Sequence, residues 1–345
     1  MDITTYLRGS VDYVYYFSAG FSVIFNVLLI YLVTKEPRIQ VGVYKRLMVT
    51  TSLFEIFYSI LDAFLIPIHY SHASAIVELV NVSDRLLPRP IVNVIHFVYN
   101  AFFGAFLALL SLHFIYRWFV VTESGLIATF NSWKLSLWLL IPLLTGLIYS
   151  FLGVYLCGPN QKTSDFLRDG VFSAFGRDID EFDYLAMYLF EENENGEVIL
   201  HMDSIISIGV TLITIIPSFF LIIFFGVKSY RRIMNLVRMT NSQKYQSLQS
   251  QLFFALVAQT LIPVVLMHIP VTILLILAFT GVNLGKYGVI ISTSITLYPA
   301  IDPLPTFFIV KPFRRAIIDF LTCKNIQITF KATRSTVRAT INQRS

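Results

Sequence analysis

Charge is scarce in this chain. Asp, Glu, Lys and Arg make up 14% of its 345 residues, against roughly 25% in ordinary soluble domains, which excludes a conventional water-soluble globule. Cysteine is almost absent: Cys157 and Cys323 can build neither a disulfide framework nor a zinc site by themselves. HExxH, the P-loop pattern and GxSxG are missing, so the usual metalloprotease, ATPase and hydrolase chemistries have no footing. His69 and His72 stand at a metal-like spacing but lack a third ligand nearby, so no metal, cofactor or catalytic role is expected. No lysine lies between Tyr287 and Val310, which excludes a Schiff base in the last apolar stretch. Residues 1–12 carry Asp2, Arg8 and Asp12 without the basic start and short apolar core of a cleavable signal, and the first span is expected to act as an uncleaved anchor. The absence of a fixed-period repeat argues against a transporter built from duplicated halves.

What fills the chain instead is hydrocarbon. Hydrophobic residues make up 56% and the mean hydropathy is +0.69. Seven apolar stretches stand out, at 13–34, 47–69, 93–116, 135–157, 204–227, 250–280 and 287–310. Each can cross a bilayer, since about 20 helical residues span roughly 30 Å of hydrocarbon. An all-α integral membrane protein with a seven-transmembrane helix bundle follows, over residues 1–315, with an amphipathic helix end and basic tail over 316–345. Lys and Arg set the orientation. Segments 35–46, 117–134, 228–249 and 311–345 hold 4, 2, 5 and 8 of them, whereas 1–12, 70–92, 158–203 and 281–286 hold 1, 2, 3 and 1. The first group therefore faces the cytoplasm and the amino terminus lies outside. The net charge of +5 sits in these short inner loops, which points to lipid headgroups and not to nucleic acid. Asn81-Val82-Ser83, the single glycosylation sequon, falls on the outer side.

The final stretch, Tyr287–Val310, organises the rest. It contains Asp302, followed by Pro303 and Pro305, so a costly carboxylate and freed backbone carbonyls both require partners from neighbouring helices. Asn26 and Glu55 fall at the same depth, each roughly 12 Å above the inner boundary. The two acids could share a proton, hold a cation, or belong to a static packing network; Asp62 lies nearer the outside. In the third span His96, Asn100, Phe103, Leu107, Leu110, Phe114 and Arg117 share one helix face, either as ordinary core or as a stripe whose polar outer end meets a cavity. Arg117 reads equally as an interfacial anchor or a switch. Gln259, Pro263, Met267, His268 and Pro270 place a hinge in the sixth span. The acidic outer loop, 158–203, is expected to be solvated and partly mobile, the alternative being a lid over the outer vestibule. After Pro312, Phe313, Ile317, Phe320 and Leu321 share a face, as on a helix lying on the inner leaflet; Cys323 at its end is a candidate for palmitoylation, the alternative being adsorption of the helix to the membrane surface alone.

Several of these segments together resemble the nematode seven-transmembrane chemoreceptors of the Str type, the diacetyl-receptor-like odorant G-protein-coupled receptors. The resemblance rests on His113-Phe-Ile-Tyr-Arg117-Trp closing the third span, Gln251-Leu-Phe-Phe-Ala-Leu and Gln259-Thr-Leu-Ile-Pro263 through Pro270 in the sixth, and Tyr298-Pro-Ala-Ile-Asp302-Pro303-Leu-Pro in the seventh. It implies a receptor for small, volatile chemicals in the plasma membrane, with sensory-neuron cilia as its setting. On this reading a small, weakly polar odorant would occupy an outer-half pocket of His96, Asn100, Phe103, Leu107, Thr211, Met267, His268, Ser292 and Thr296. Asn26, Glu55, Asp302 and Pro303 would form the switch network. Tyr116, Arg117, Arg231, Arg232, Arg314 and Arg315 would face a heterotrimeric G protein. Tyr116-Arg117-Trp118 resembles the acid–Arg–Tyr element of rhodopsin-like receptors, but no acid precedes Arg117, and no cysteine stands near the outer end of the third span to pair with the second outer loop. The competing reading is a transporter or channel that uses Glu55, Asp62 and Asp302 as a cation or proton relay.

Overall fold

A computed structural model describes residues 3–36, 39, 42–83, 87–131, 133–192, 197–239 and 243–322. Cys323 and the basic tail lie outside the described residues. Among the described residues six helices are long and apolar enough to cross a membrane: α1 (Ile3–Lys35), α2 (Tyr44–Leu65), α3 (Arg89–Val121), α5 (Leu135–Cys157), α7 (Met202–Met239) and the sixth crossing, α8 (Gln243–Pro263) continued by α9 (Ile269–Phe279). The seventh crossing is made in two pieces, α10 (Val289–Ile301) and α11 (Leu304–Ile309), which together reach roughly 30 Å at 1.5 Å per residue. A short α4 (Ile127–Asn131) follows α3 on the cytoplasmic side, and α12 (Lys311–Leu321) follows α11.

The third crossing is the hub. Buried residues make up 61% of the most apolar stretch of α3, against 11–39% in the other five long helices. Its approach to α5 depends on Gly146, where a Cβ would stand 2.1 Å from the Ala101 carbonyl oxygen. The two backbones pack more closely there than any side chain allows.

Prolines break the sixth and seventh crossings, and side chains from neighbouring helices take up the carbonyls they leave free. Pro270 has no N–H for the Leu266 carbonyl, and the Ser294 hydroxyl of α10 donates to that oxygen at 2.6 Å. The chain between α8 and α9, Val264–His268, widens into a π-helical turn. Pro303 frees the Pro299 carbonyl, which accepts from Asn26 Nδ2 at 3.2 Å. Thr306 N–H turns back to Pro303 O, so the Asp302 carbonyl accepts from Gln259 Nε2 at 3.0 Å instead. The seventh crossing is thereby tied to the first and the sixth.

The outer side departs from the expected loops. The second crossing ends at Leu65 and not near His69, because Ile66 turns left-handed (φ 49°) and Pro67 cannot donate to a helix. The chain then runs into β1 (Ile68–His72) and β2 (Ala75–Asn81), which pair antiparallel with β3 (Phe182–Tyr188) in the order β1-β2-β3. The segment read as a solvated, mobile loop is folded: α6 (Gln161–Phe175) starts at Asn160, whose Oδ1 accepts from Thr163 N at 2.9 Å, and stops at Gly176 in the left-handed region (φ 68°). Leu167 and Val171 of α6 pack on Tyr70, Val77, Leu79 and Tyr184 as a separate apolar cluster. A second hairpin, β4 (Phe190–Glu192) with β5 (Val198–Leu200), completes this cap. Its acids are held by cations: Asp178 by Arg168, Glu181 by Arg177, Glu191 by Lys162. Asn81 is only 8% exposed, and its Oδ1 accepts from Ser83 N at 3.0 Å, so a glycan there would have to be attached before the cap closes. At the other end α12 begins at Lys311. Phe313 and Ile317 pack into the cytoplasmic core, while Phe320, Leu321, Arg314 and Arg315 are exposed.

Candidate functional site

Beneath the cap, between α3, α5, α7 and the sixth crossing, lies a cavity of about 260 Å³. Four of the nine candidate pocket residues line it: Asn100, Phe103, Thr211 and His268. Phe103 stands between Tyr149 and the His268 ring, at centroid distances of 6.0 and 6.4 Å, and Phe219 meets His268 edge-on at 5.6 Å. These aromatic rings come from four helices and make the wall. The lid is the cap itself, since Ile76 and Glu78 of β2 and Leu185 and Met187 of β3 also line the cavity.

The other five candidates support this cavity without lining it. His96 is buried directly behind the cap, its Nδ1 donating to Asp183 Oδ2 at 2.7 Å and its Nε2 3.4 Å from Glu78 Oε1. Ser292 Oγ accepts the backbone N–H of His69 at 2.7 Å. Thr296 donates to Asp62 Oδ2, and Tyr99 to Asp62 Oδ1 at 3.0 Å. Leu107 and Met267 belong to the apolar core below. Outside the bundle, burial works to raise the Glu78 carboxyl, but the adjacent His96 and then His69 outweigh it and hold it below the usual glutamate range. His69 is pushed down by burial, partly offset by Glu78.

Tyr99 connects this chamber to the interior. It lines the cavity, its hydroxyl donates to Asp62, and it accepts from Tyr58 at 3.0 Å. Tyr58 in turn stacks on Tyr99 and leans on Tyr298 at 5.4 Å. One turn further in, the three groups placed at one depth do meet: Glu55 is within hydrogen-bonding reach of both Asp302 and Asn26. Gln259 Nε2 holds Asp302 Oδ2 at 2.9 Å. Asp62 stays separate, on the outer side of Tyr58. No group of three or more metal-capable side chains occurs among the described residues.

At the cytoplasmic end the candidate G-protein residues divide. Arg231, Arg232, Arg314 and Arg315 are exposed, and Arg232 Nε donates to Val121 O at 3.4 Å. Tyr116 and Arg117 are buried, Arg117 with 1% of its surface accessible. The guanidinium lies over the Tyr44 ring, 4.0 Å from its centroid, and Nη1 donates to Gln249 Oε1 at 2.8 Å. Its Nε and Nη2 have no hydrogen-bond acceptor, a costly arrangement in a buried place. Tyr44 is itself fixed by His113 Nδ1 at 3.0 Å and by stacking on Tyr116.

Glu78, Asp183, Tyr99, Tyr149, Tyr44 and Gln249 have no place among the sequence candidates, and His69 stands there only for its metal-like spacing to His72. For Glu78 a signal existed: Val77-Glu78-Leu79 alternates in apolar and polar residues as a strand does, although brevity makes it weak. Tyr44 and Gln249 lie in inner loops by hydropathy and reach Arg117 only through folding.

Compared with known proteins, residues 11–318 match the family described as serpentine type 7TM GPCR chemoreceptor Str. The G-protein coupled receptor str-217 of Caenorhabditis elegans is 31% identical over 88% of each chain. Serpentine receptor class r-10 of Caenorhabditis briggsae is 28% identical over 94% of each chain. Among solved structures squid rhodopsin aligns with a TM-score of 0.54 at 11% identity, covering 89% of this chain and 83% of its own, a likeness of fold alone.

Proposed function

This chain belongs to the serpentine Str family of seven-transmembrane chemoreceptors, and on that premise we propose that it is a chemosensory G-protein-coupled receptor for a small, volatile molecule, coupling to a heterotrimeric G protein. It is a multi-pass membrane protein, and the plasma membrane of a sensory neuron, its cilium included, is the proposed location. The observation that carries the reading is the outer cavity and its connection, through Tyr99, to the polar groups of the bundle interior. A ligand in the cavity touches Tyr99 and His268. Tyr99 leads through Asp62 and Tyr58 to Tyr298, and below it Glu55, Asp302, Asn26 and Gln259 join the first, second, sixth and seventh crossings. His268 closes the π-helical turn by donating Nδ1–H to the Pro263 carbonyl at 3.1 Å, so a ligand against its ring bears on the hinge of the sixth crossing.

Signalling is then a population shift. A ligand that binds one arrangement of the sixth crossing better than another moves the balance by its difference in affinity. The arrangement that swings Gln249 away frees Arg117, together with the exposed arginines of α7 and α12, to face the G protein. Apolar burial against Phe103, Tyr149 and Phe219 supplies most of the affinity and one or two polar groups the orientation. The test is Asn100→Ala and His268→Ala in cells carrying a G-protein reporter, against a panel of volatiles active on the unaltered receptor. Reduced sensitivity is expected in both. An unchanged response of both variants to every active volatile would reject this cavity as the ligand site.

A further inference from the structure

The polar groups around the cavity are not a neutral mixture of donors and acceptors, because the donors are largely committed to the protein's own backbone. Asn100 Nδ2 donates to His96 O at 3.2 Å, Ser150 to Phe97 O at 2.6 Å, Thr211 to Ser207 O at 3.0 Å and Thr272 to His268 O at 2.7 Å. Tyr99 donates to Asp62, and the Tyr149 hydroxyl faces Thr211, whose own proton is engaged with Ser207. A carbonyl can only accept, so His268 carries its proton on Nδ1 toward Pro263, and its neutral ring offers Nε2 as an acceptor. What remains toward the cavity is chiefly acceptor capacity at Asn100 Oδ1, His268 Nε2 and the Glu78 carboxylate, beside the second N–H of Asn100 Nδ2.

Glu78 decides the charge. Its side chain keeps 16% of its surface and lines the cavity, while its Oε1 is turned toward His96 at 3.4 Å without a hydrogen bond. The groups facing it are His96 from α3, His69 directly opposite on β1, and Asp183 from β3, which takes the shorter contact with His96. Two carboxylates against one imidazolium leave the cluster acidic, and burial disfavours a second charged histidine at His69. No Lys or Arg is among the described residues that line the cavity. A carboxylate with no full counter-ion beside aromatic faces attracts a cation twice over, through the charge and through the ring quadrupoles.

We infer that the cavity takes a small primary or secondary amine, bound as its ammonium form, with N–H groups on Glu78 and on the His268 or Asn100 acceptors and with its hydrocarbon against Phe103 and Phe219. A cavity of about 260 Å³ suits an amine of few carbons, a class that is volatile as the free base and protonated in water. Ligands that only accept hydrogen bonds, such as ketones and esters, find fewer partners there, His69 and the second N–H of Asn100 among them, and carboxylates are repelled. The inference rests on the reading of this cavity as the ligand site.

The experiment measures the unfolding midpoint of the purified full-length receptor against four probes that share one ring: cyclohexylamine, cyclohexanol, cyclohexanone and cyclohexanecarboxylate. The amine should raise the midpoint at the lowest concentration, the alcohol next, and the carboxylate not at all. In Glu78→Gln the amine should lose about tenfold or more in affinity, as expected for loss of a charge-assisted hydrogen bond, while the alcohol changes by less than about threefold. The ranking on the unaltered receptor decides the matter by itself if the variant does not fold. A ketone or carboxylate binding as well as the amine, no shift from the amine, or amine affinity unaffected in folded Glu78→Gln would each overturn the assignment. Glu78-dependent amine binding without G-protein activation would uphold the ligand class and reject the signalling role, so the two readings fail separately.

Discussion

Gln249→Leu should raise the activity of the receptor in the absence of any ligand. Among the described residues Gln249 supplies the side-chain acceptor of Arg117, at 2.8 Å, and the contact joins the inner end of the third crossing to the inner end of the sixth. A hydrogen bond to a charged group contributes about 1.5–3 kcal/mol in general, but pairs within membrane proteins average nearer about 0.6. The site is part-buried and close to the boundary, so about 1.4 kcal/mol is a reasonable middle value, equivalent to a factor of about ten in the equilibrium. Starting from an active fraction of about 1%, within the usual range for a minor state, the variant should reach about 10%. Tyr44→Leu removes the ring under the guanidinium, a contact of about 2 kcal/mol when desolvated, and should act in the same direction. Because both changes loosen one guanidinium, the double variant should gain less than the product of the two. The assay is nucleotide exchange on purified G protein by receptor in membranes, at matched receptor density and without ligand. Basal exchange that stays level or falls in Gln249→Leu, with the response to ligand preserved, would refute the idea that this contact holds the resting arrangement.

Other perturbations test the scaffold. Gly146→Val should lower the unfolding midpoint sharply and reduce delivery to the surface, because its Cβ would overlap the Ala101 carbonyl, whereas Gly209→Ala, with no atom within 4 Å of the added carbon, should leave both unchanged. Asp302→Leu removes the acceptor of Gln259 and the partner of Glu55, and should cost about 1–3 kcal/mol, as for a buried polar group left without its hydrogen-bond partner; Asp302→Asn, which can both accept and donate, should cost less by the same midpoint measurement. Acid should loosen the cap before the bundle. The N–H of Asp180 and then Arg168 hold Asp178 below its ordinary value, and Lys162 does the same for Glu191. Depressed carboxylates contribute fully above their ordinary values of 3.8 and 4.5 and lose that contribution as pH falls through the lowered ones. The protection factors of amides in α6, corrected for intrinsic exchange, should therefore fall in strong acid; protection that stays level as these carboxylates are protonated would contradict the assignment.

Much of this protein is legible without coordinates, because a bilayer imposes one-dimensional rules. Crossing length, the segregation of Lys and Arg, and the expense of Asp302 among prolines follow from the order of residues alone. Even the shared depth of Asn26, Glu55 and Asp302 could be counted along three helices, and the folded chain brings those groups into hydrogen-bonding reach. A regular rise per residue converts sequence position into height, so vertical placement needs no tertiary information. Rotation about each helix and the fold of the outer segments do need it. Leu107 and Asn100 share a face of α3, yet only Asn100 lines the cavity, since the neighbours of that face change along its length. A mobile loop reads more readily from the sequence than a lid, because the strands of the cap are short and its acids look solvated until Arg168, Arg177 and Lys162 are folded against them. Glu78 became a wall of the chamber through antiparallel pairing with His69, and Arg117 found Tyr44 and Gln249 across two other crossings. Composition and spacing thus determine which segments lie in the membrane and how deep each polar group sits. Which of those groups touch is decided by long-range packing, where partners far apart in sequence must be brought together before any of them acquires its environment.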